Sequence, residues 1–376
     1  MKKILLILLL LLMVSMPTIA YADLQDDLTN QVQEGLGNLD FSQVDTITKG
    51  YIGNIIDKIQ RIINGEFDSM QSFFQLILAL LGDNLASLLP KLISIFVILV
   101  LVGLMRKTSG GFISQGTDNI VSFVGRAVVL VTLISVFVDT FNSVNDVLSQ
   151  LSLLCETSMP ILLTLIVANG STSLSAVCQP SMVMFSGTII SIVRNVLVPM
   201  TLSSCAFAFV SNLSQNVKVT KLATFLSNGA SWILGILFTI FSAFTSVQGI
   251  VASSMDGLSY RMAKFTAKNY IPILGGYISD GFDIVVASTS LIKNSFGLVL
   301  LLVVVTMVAK PLVTILTLNL GLQAVTAISE PIVEGSNTNI FQPVCKSLTF
   351  LSALLIAVAF MFSILIVVAI SCANGV

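Results

Sequence analysis

The sequence predicts an all-α protein: a polytopic helical membrane protein with about seven transmembrane helices. It also predicts a broken or re-entrant helix near residues 270–293 and a small exported helical region at the N-terminus. Of the 376 residues, 55% are hydrophobic and only 10% are charged, whereas a soluble domain has about 25% charged residues. Such a chain cannot cover a water-facing surface, so the composition excludes an ordinary soluble enzyme. The apolar residues also gather in runs of about 20 or more, the length that crosses a bilayer.

The first 22 residues have the pattern of a secretory signal peptide. Lys2 and Lys3 precede an unbroken apolar run over 4–14, and the triplet Ala-Tyr-Ala ends at residue 22. A charged start, a short apolar core and an A-x-A site are typical of a cleaved signal. We therefore expect cleavage after Ala22 and export of the new N-terminus, with an uncleaved anchor as the alternative.

Residues 23–85 form the predicted extracytoplasmic region, which is acidic and helical. They contain ten acidic and three basic residues, and apolar side chains recur at helical spacing over 51–63 and again over 67–81. The pattern predicts two amphipathic helices. They would lie on the outer membrane surface, pack on a partner, or pack on the protein's own membrane domain.

Residues 86–376 form the predicted membrane domain. Seven apolar runs are candidate spans: 86–105, 119–140, 148–168, 181–212, 226–251, 295–325 and 347–372. With the N-terminus outside, Arg106 and Lys107 lie in the cytoplasm, as the positive-inside rule requires. Lys218 and Lys221 are the exception, since they would lie in an outer loop. The run 181–212 would be about 48 Å long as one helix, so it must tilt, protrude or break at Pro199.

A basic face follows the fifth run. Arg261, Lys264 and Lys268 have the i, i+3, i+7 spacing that places them on one side of a helix. A basic amphipathic helix suits anionic lipid headgroups at the cytoplasmic surface. The same seven-span topology predicts that this face is cytoplasmic.

The segment after the basic face predicts a break in the helix. Pro272, Gly275 and Gly276 stop one helix, and Asp280 and Asp283 occupy the first turn of the next. That helix would reach only to about Lys293, roughly 22 Å, which is short for a full crossing. We expect a broken or re-entrant helix here, with the proline and glycines serving as a hinge or gate, or simply as a fixed turn.

Two cations lie inside apolar runs. Lys310 and Arg194 are functional candidates because charge within a bilayer is costly, and Lys310 would pair with Asp280 or Asp283 beside a polar path. The alternative is that each side chain reaches the interface or is paired structurally. The chain has no histidine, and its five cysteines form no C-x-x-C motif. We therefore expect no catalytic residues, no metal and no cofactor, and we read the cysteines as small core residues.

The run over 263–297 resembles the stage III sporulation protein AE family, a polytopic membrane family of endospore-forming bacteria. The matching features are the Tyr-Ile-Pro-Ile block at 270–273, Gly275, Asp283 and the Leu-Ile-Lys-Asn-Ser run at 291–295. The signal peptide, the acidic exported region and the C-terminal helices match the same architecture. The resemblance is close between about 255 and 330 and looser before 180.

The resemblance implies a function that composition does not show. Members belong to the mother-cell half of a channel complex that joins mother cell and forespore and supports forespore development. The implied location is the mother-cell membrane around the forespore. The implied partners are other stage III sporulation membrane proteins, including a secretion-type ATPase and ring-forming proteins of the intermembrane space. Membrane lipid and further copies of the chain are additional expected contacts, and nucleic acid is not, since the net charge is −1. An autonomous secondary transporter or permease is the alternative.

Overall fold

The structure is a computed structural model that describes residues 25–65, 70–109, 115–169, 179–180, 184–213, 219–270, 275–331 and 341–371. Within these residues every regular element is a helix, which confirms the predicted all-α class. In chain order the helices are α1 (Gln25–Gly37), α2 (Ser42–Ile52), α3 (Ile55–Ile63), α4 (Met70–Ser109), α5 (Gln115–Ala168), α6 (184–213), α7 (Thr220–Tyr270), α8 (Gly275–Ser329) and α9 (Phe341–Ser371). The predicted signal peptide, 1–22, lies outside the described residues.

The start of the amphipathic helix α3 is fixed by Asn54. Its side-chain oxygen accepts hydrogen bonds from the backbone N–H groups of Ile56 and Asp57 at 2.9 and 3.3 Å. An asparagine at this position satisfies N–H groups that have no partner within the helix. Gly53 has φ +79°, a conformation that glycine adopts at little cost, and this turns the chain from α2 into α3. The buried face of α3 consists of Ile55, Ile59 and Ile62.

The N-terminal helices pack on the membrane helices of the same chain. The rings of Phe41, before α2, and Phe296, in α8, meet edge to face with centroids 5.3 Å apart. The Tyr51 hydroxyl, at the end of α2, hydrogen-bonds the side-chain oxygen of Gln150 in α5. Burial raises the pKa of Tyr51 above its ordinary value of 10.0. Of the three alternatives for the amphipathic region, packing on the protein's own membrane domain is therefore the one observed.

The second amphipathic run does not form a helix of its own. The residues from Met70 onward continue without interruption into the first membrane span, and together they form the 40-residue helix α4. The expected end of the exported region at residue 85 thus falls inside a helix. Gly82 and Pro90 flank this point, but apolar residues continue on both sides, and the helix passes through both without ending.

Six described helices are long and apolar enough to cross a membrane. The candidate spans are Leu78–Leu104, Phe123–Ala168, Gly187–Ser211, Thr220–Val247, Ile284–Ser329 and Phe341–Ile370. The sequence suggested about seven because the runs 119–140 and 148–168 were counted separately. They belong to one 54-residue helix, α5, and the polar residues between them do not end it.

Helix contacts show which connections lie at the same end of the bundle. The salt bridge between Lys91 and Asp139 and the contact of Gly125 with Val102 make α4 and α5 antiparallel. Ser204 and Ser211 of α6 bond Ala223 and Thr220 of α7, so this pair is antiparallel too. The α4–α5 and α6–α7 connections consequently share one end. The helices α1–α3 and the end of α9 lie at the other.

This arrangement corrects the predicted topology. Between Arg106 and Arg261 the chain passes through α5, α6 and α7, which is three crossings where the sequence suggested four. The basic face at Arg261, Lys264 and Lys268 therefore lies on the opposite side of the membrane from Arg106, not on the same side. Lys221, at the start of α7, joins the side of Arg106. Lys221 therefore no longer lies in an outer loop, where it was an exception to the positive-inside rule.

Pro199 does not break α6. The residues just before it, Val193–Leu197, adopt a π-helix, as do Met184–Ile189. The wider π-turn is a recognised way to accommodate an irregularity inside a continuous helix. The expected short helix ending near Lys293 is also absent, because α8 runs on for 55 residues through Pro311. The residues that join α7 to α8, including Pro272, lie outside the described residues.

Candidate functional site

The most unusual polar feature of the described bundle surrounds Lys293, near the start of the α8 span. Lys293 is fully buried, and its Nζ donates a hydrogen bond to the backbone carbonyl of Ile370 at 3.0 Å. Lys293 and its polar neighbours are called the Lys293 cluster below. Its members are Asn169, Ser288, Ser290, Lys293, Asn294 and Ser295.

The Lys293 contact follows from the geometry of a helix end. Ile370 lies in the last turn of α9, where backbone carbonyls have no N–H partner within the helix. A cation near these carbonyls also interacts favourably with the helix dipole. Lys293 therefore acts as a C-terminal cap supplied by a neighbouring helix. The approach of α8 to α9 is close, since a Cβ on Gly297 would lie 2.2 Å from Ile370 Cδ1.

Asn169 connects the end of α5 to the Lys293 cluster. Its Nδ2 donates to the Ser290 hydroxyl at 3.0 Å. The Oδ1 atoms of Asn169 and Asn294 are buried, and neither has a hydrogen-bond partner among the described residues. The cluster thus holds α5, α8 and α9 together and retains two unused buried acceptors.

The N-terminal helices meet α8 at the same place. Ile292, beside Lys293, contacts α1 so closely that a Cβ on Gly35 would lie 2.8 Å from Ile292 Cδ1. Phe296, three residues after Lys293, packs on Phe41. The cluster consequently lies where the predicted exported region joins the bundle. The described residues contain no group of three or more potential metal ligands. The contacts of Lys293 with α9 and of Asn169 with α8 couple three helices structurally.

Lys310 does not meet the carboxylates expected to pair with it. Asp280, Asp283 and Lys310 all lie on the continuous helix α8. A spacing of 27 or 30 residues corresponds to about 40–45 Å along a helix axis, so the expected pairing within one chain is wrong. Lys310 is exposed on the bundle surface, where its backbone carbonyl accepts from the Thr314 hydroxyl.

Arg194 has a partner on a neighbouring helix. It is half-buried on the second π-helical segment, and its Nε donates to Asn145 Oδ1 of α5 at 3.4 Å. This contact matches the alternative of a structurally paired cation. π-Bulges are frequent at functional positions, so both interpretations of Arg194 remain predictions.

The other candidates lie partly outside the described residues. Pro272 is not described, and the structure describes no side-chain surroundings for Arg261, Lys264, Lys268, Asp280 or Asp283. Their backbone is helical, in α7 or in α8. Gly275 and Gly276 form the first residues of α8. A hinge or gate at this junction stays a prediction.

Comparison with known proteins supports the family resemblance. The sequence model for stage III sporulation protein AE matches residues 54–373. The chain belongs to the stage III sporulation protein AE family. A relative from Bacillus subtilis (strain 168) that has this name is 28% identical over 288 residues, which cover 76% of this chain and 71% of the relative. No solved structure matches at a significant level.

The family match includes the Lys293 cluster and all six candidate spans, whereas α1 and α2 precede it. Membership in the stage III sporulation protein AE family gives the chain a role in sporulation, and the helices described above make it a membrane protein. Within the region of closest resemblance, the Leu-Ile-Lys-Asn-Ser run contains Lys293, Asn294 and Ser295. The structure thus gives part of that motif a physical role in packing α8 against α9.

Sequence reasoning missed the Lys293 cluster. Lys293 was interpreted as the approximate end of a short helix. The polar run 293–295 lies next to an apolar run, which could have indicated a buried polar group instead. It also missed the pairing of Lys91 with Asp139, because the two are separated by 48 residues. Only the antiparallel packing of α4 and α5 brings them together.

Proposed function

We propose that the chain is a non-enzymatic integral membrane component of a channel or secretion-type complex that links mother cell and forespore. Family membership over residues 54–373 carries this proposal, together with a bundle of six apolar helices. The complex and its location follow from the resemblance described above. The proposed location is the mother-cell membrane around the forespore.

The charges at the end of the bundle opposite α1–α3 favour an extracytoplasmic N-terminal region, although this orientation leaves Arg261, Lys264 and Lys268 on the extracytoplasmic side. Among the described residues, five basic ones lie towards the end opposite α1–α3: Arg106, Lys107, Arg126, Lys221 and Lys346. Two described acidic residues, Asp118 and Glu330, lie towards the same end. An excess of Lys and Arg favours the cytoplasmic side. The acidic N-terminal region then lies outside, as a cleaved signal peptide also requires.

This orientation suggests how the proposed partners are arranged. A secretion-type ATPase would meet the basic cytoplasmic end, and ring-forming proteins in the intermembrane space would meet the end that contains α1–α3. The exposed side of α3 includes Asp57 and Arg61, which form an i, i+4 ion pair at 3.2 Å. An exposed, charged helix packed on the bundle suits the polar rim of a contact with a soluble partner.

Cross-linking in sporulating cells tests the proposal. A photoreactive residue replaces Gln60, on the exposed side of α3, and a matched control replaces Val247, on the apolar surface of α7. We expect the first position to capture ring-forming sporulation proteins and the second to capture lipid or nothing. Capture of no sporulation protein, combined with solute flux through liposomes that contain only this chain, would instead support the autonomous transporter.

A further inference from the structure

A salt bridge on the outer surface of the bundle lies at the middle of the candidate span of α4. Lys91 Nζ and Asp139 Oδ2 are 3.2 Å apart, and the two side chains are 44% and 65% exposed. Lys91 is thirteen residues from either end of the span Leu78–Leu104, or about 20 Å. The hydrocarbon core is about 30 Å thick, so at the centre of this candidate span the nearest interface is about 15 Å away, which is beyond the reach of a lysine side chain.

The salt bridge is part of a longer row of polar side chains. On α4 the row has the spacing i, i+3, i+7, i+10, and on α5 the spacing is i, i+4, i+7, i+11, so each follows one helix face. We call these residues the polar seam: Asn84, Ser87, Lys91 and Ser94 on α4, and Ser135, Asp139, Asn142 and Asp146 on α5. All are exposed except Asn84, which is half-buried.

The polar seam is continuous because α4 and α5 are antiparallel. Lys91 opposite Asp139 sets the register, and so Ser94 lies level with Ser135, Ser87 with Asn142, and Asn84 with Asp146. The row covers ten residues of α4, about 15 Å along its axis. Polar groups at membrane depth face a bundle interior or a water-filled cavity, because lipid cannot satisfy them. The polar seam therefore has to be shielded from lipid.

Apolar surfaces flank the polar seam on both sides. On α4 a ridge of exposed apolar residues consists of Ile93, Val97, Leu101 and Leu104. Beyond the seam on α5, a cavity of about 390 Å³ opens between α5 and α6. Val131, Ile134 and Val138 line it on one side, and Leu202, Ala206 and Val210 on the other. The register of α4 and α5 places this groove at the same depth as the ridge.

We propose that copies of this chain pack side by side, with the α4 ridge of one copy in the α5–α6 groove of the next. The polar seams then face one another and enclose a water-filled passage. A protruding apolar ridge and an apolar groove at equal depth are complementary, and a contact between two different surfaces of identical copies builds a ring where the rotation from copy to copy closes. The proposal concerns copies of this chain alone, so it does not depend on the partners proposed above.

Thiol accessibility tests whether the polar seam is wet. Ser87→Cys and Ser94→Cys place a thiol in the seam, and Leu89→Cys is the control at the same depth on the lipid-facing side of α4. We expect a membrane-impermeant, charged thiol reagent to modify the seam positions at least about tenfold faster than the control, because thiols react as thiolates in water. The unmodified chain gives the background from the native cysteines. Equal rates at the seam and at Leu89→Cys would overturn the proposal.

Cross-linking tests the contact between copies. One tagged chain carries Val97→Cys on the ridge, and a differently tagged chain carries Val210→Cys in the groove. Because α5 lies between these positions within one chain, a disulfide joins them only across two copies. We expect oxidation in native membranes to produce a dimer containing both tags. Replacing Val97→Cys with Leu89→Cys should abolish that dimer. Wet seam thiols without any such dimer would overturn the arrangement of copies.

Discussion

Replacing Gly297 tests the close approach of α8 to α9 at the Lys293 cluster. In Gly297→Ala the new Cβ would lie 2.2 Å from Ile370 Cδ1 and 2.5 Å from Ile370 Cγ1. Contacts of this length cannot persist, so either Ile370 changes its rotamer or the two helices separate. The backbone carbonyl of Ile370 also accepts the Lys293 hydrogen bond, so a helix shift would disturb the cluster as well.

The expected magnitude follows from a matched control. Overpacking a well-packed interior costs about 1–3 kcal/mol, whereas Gly→Ala within a helix stabilises by about 1 kcal/mol. Gly235, in α7, has open space around the position of a new Cβ. Gly235→Ala thus keeps the gain in helix propensity without the clash. The two variants should differ in free energy of unfolding by about 1–3 kcal/mol, the overpacking cost alone.

Heating the detergent-solubilised protein and measuring the fraction that remains monodisperse provides the assay. We expect Gly297→Ala to lose its folded form at a lower temperature than Gly235→Ala. Adding Ile370→Ala removes both clashing carbons but leaves the carbonyl that accepts from Lys293. Gly297→Ala should therefore lower the melting temperature less in the Ile370→Ala background than in the unmodified protein. Equal melting of the two glycine variants would refute the reasoning that α8 and α9 touch at Gly297.

Three further predictions concern the lysines of α8 and the N-terminal helices. Lys293→Met leaves the Ile370 carbonyl without its donor and should destabilise the solubilised protein by about 1–3 kcal/mol. Lys310 is exposed, so Lys310→Met should change the free energy of unfolding by less than about 0.5 kcal/mol. Equal effects of the two substitutions would contradict the burial of Lys293. Asn54→Ala removes the cap of α3 and should cost about 1 kcal/mol locally, detected as faster hydrogen exchange over Ile55–Ile63; unchanged exchange there would count against the cap. Because burial raises the pKa of Tyr51, the folded state favours the protonated phenol. The contact of α2 with Gln150 should therefore persist below pH 10 and weaken as the pH rises through the raised pKa. Hydrogen exchange of α2 should show an alkaline step that is absent in Tyr51→Phe.

The sequence was sufficient to predict the class of fold and most of the spans, because crossing a bilayer needs about 20 consecutive apolar residues. It was insufficient at α5, where Asp139, Asn142 and Asp146 suggested a loop between two spans. These residues have helical spacing on one face, so they are compatible with an unbroken helix whose polar side meets α4. Hydropathy alone cannot distinguish a polar loop from a polar stripe. The resulting error in the number of spans reversed the predicted side of every later connection.

The two lysines of α8 show why the candidate site was harder to predict than the fold. Lys310 drew attention because it interrupts a long apolar run, yet it is exposed. Lys293 lies at the edge of such a run, yet it is fully buried. Burial within a bundle depends on which face of a helix meets its neighbours, and here Gly297, one turn after Lys293, brings α9 close on that face. A contact between residues 293 and 370 is set by tertiary packing, which local sequence does not encode. A small residue one turn from a charged residue in an apolar helix is nevertheless a pattern that sequence analysis can use.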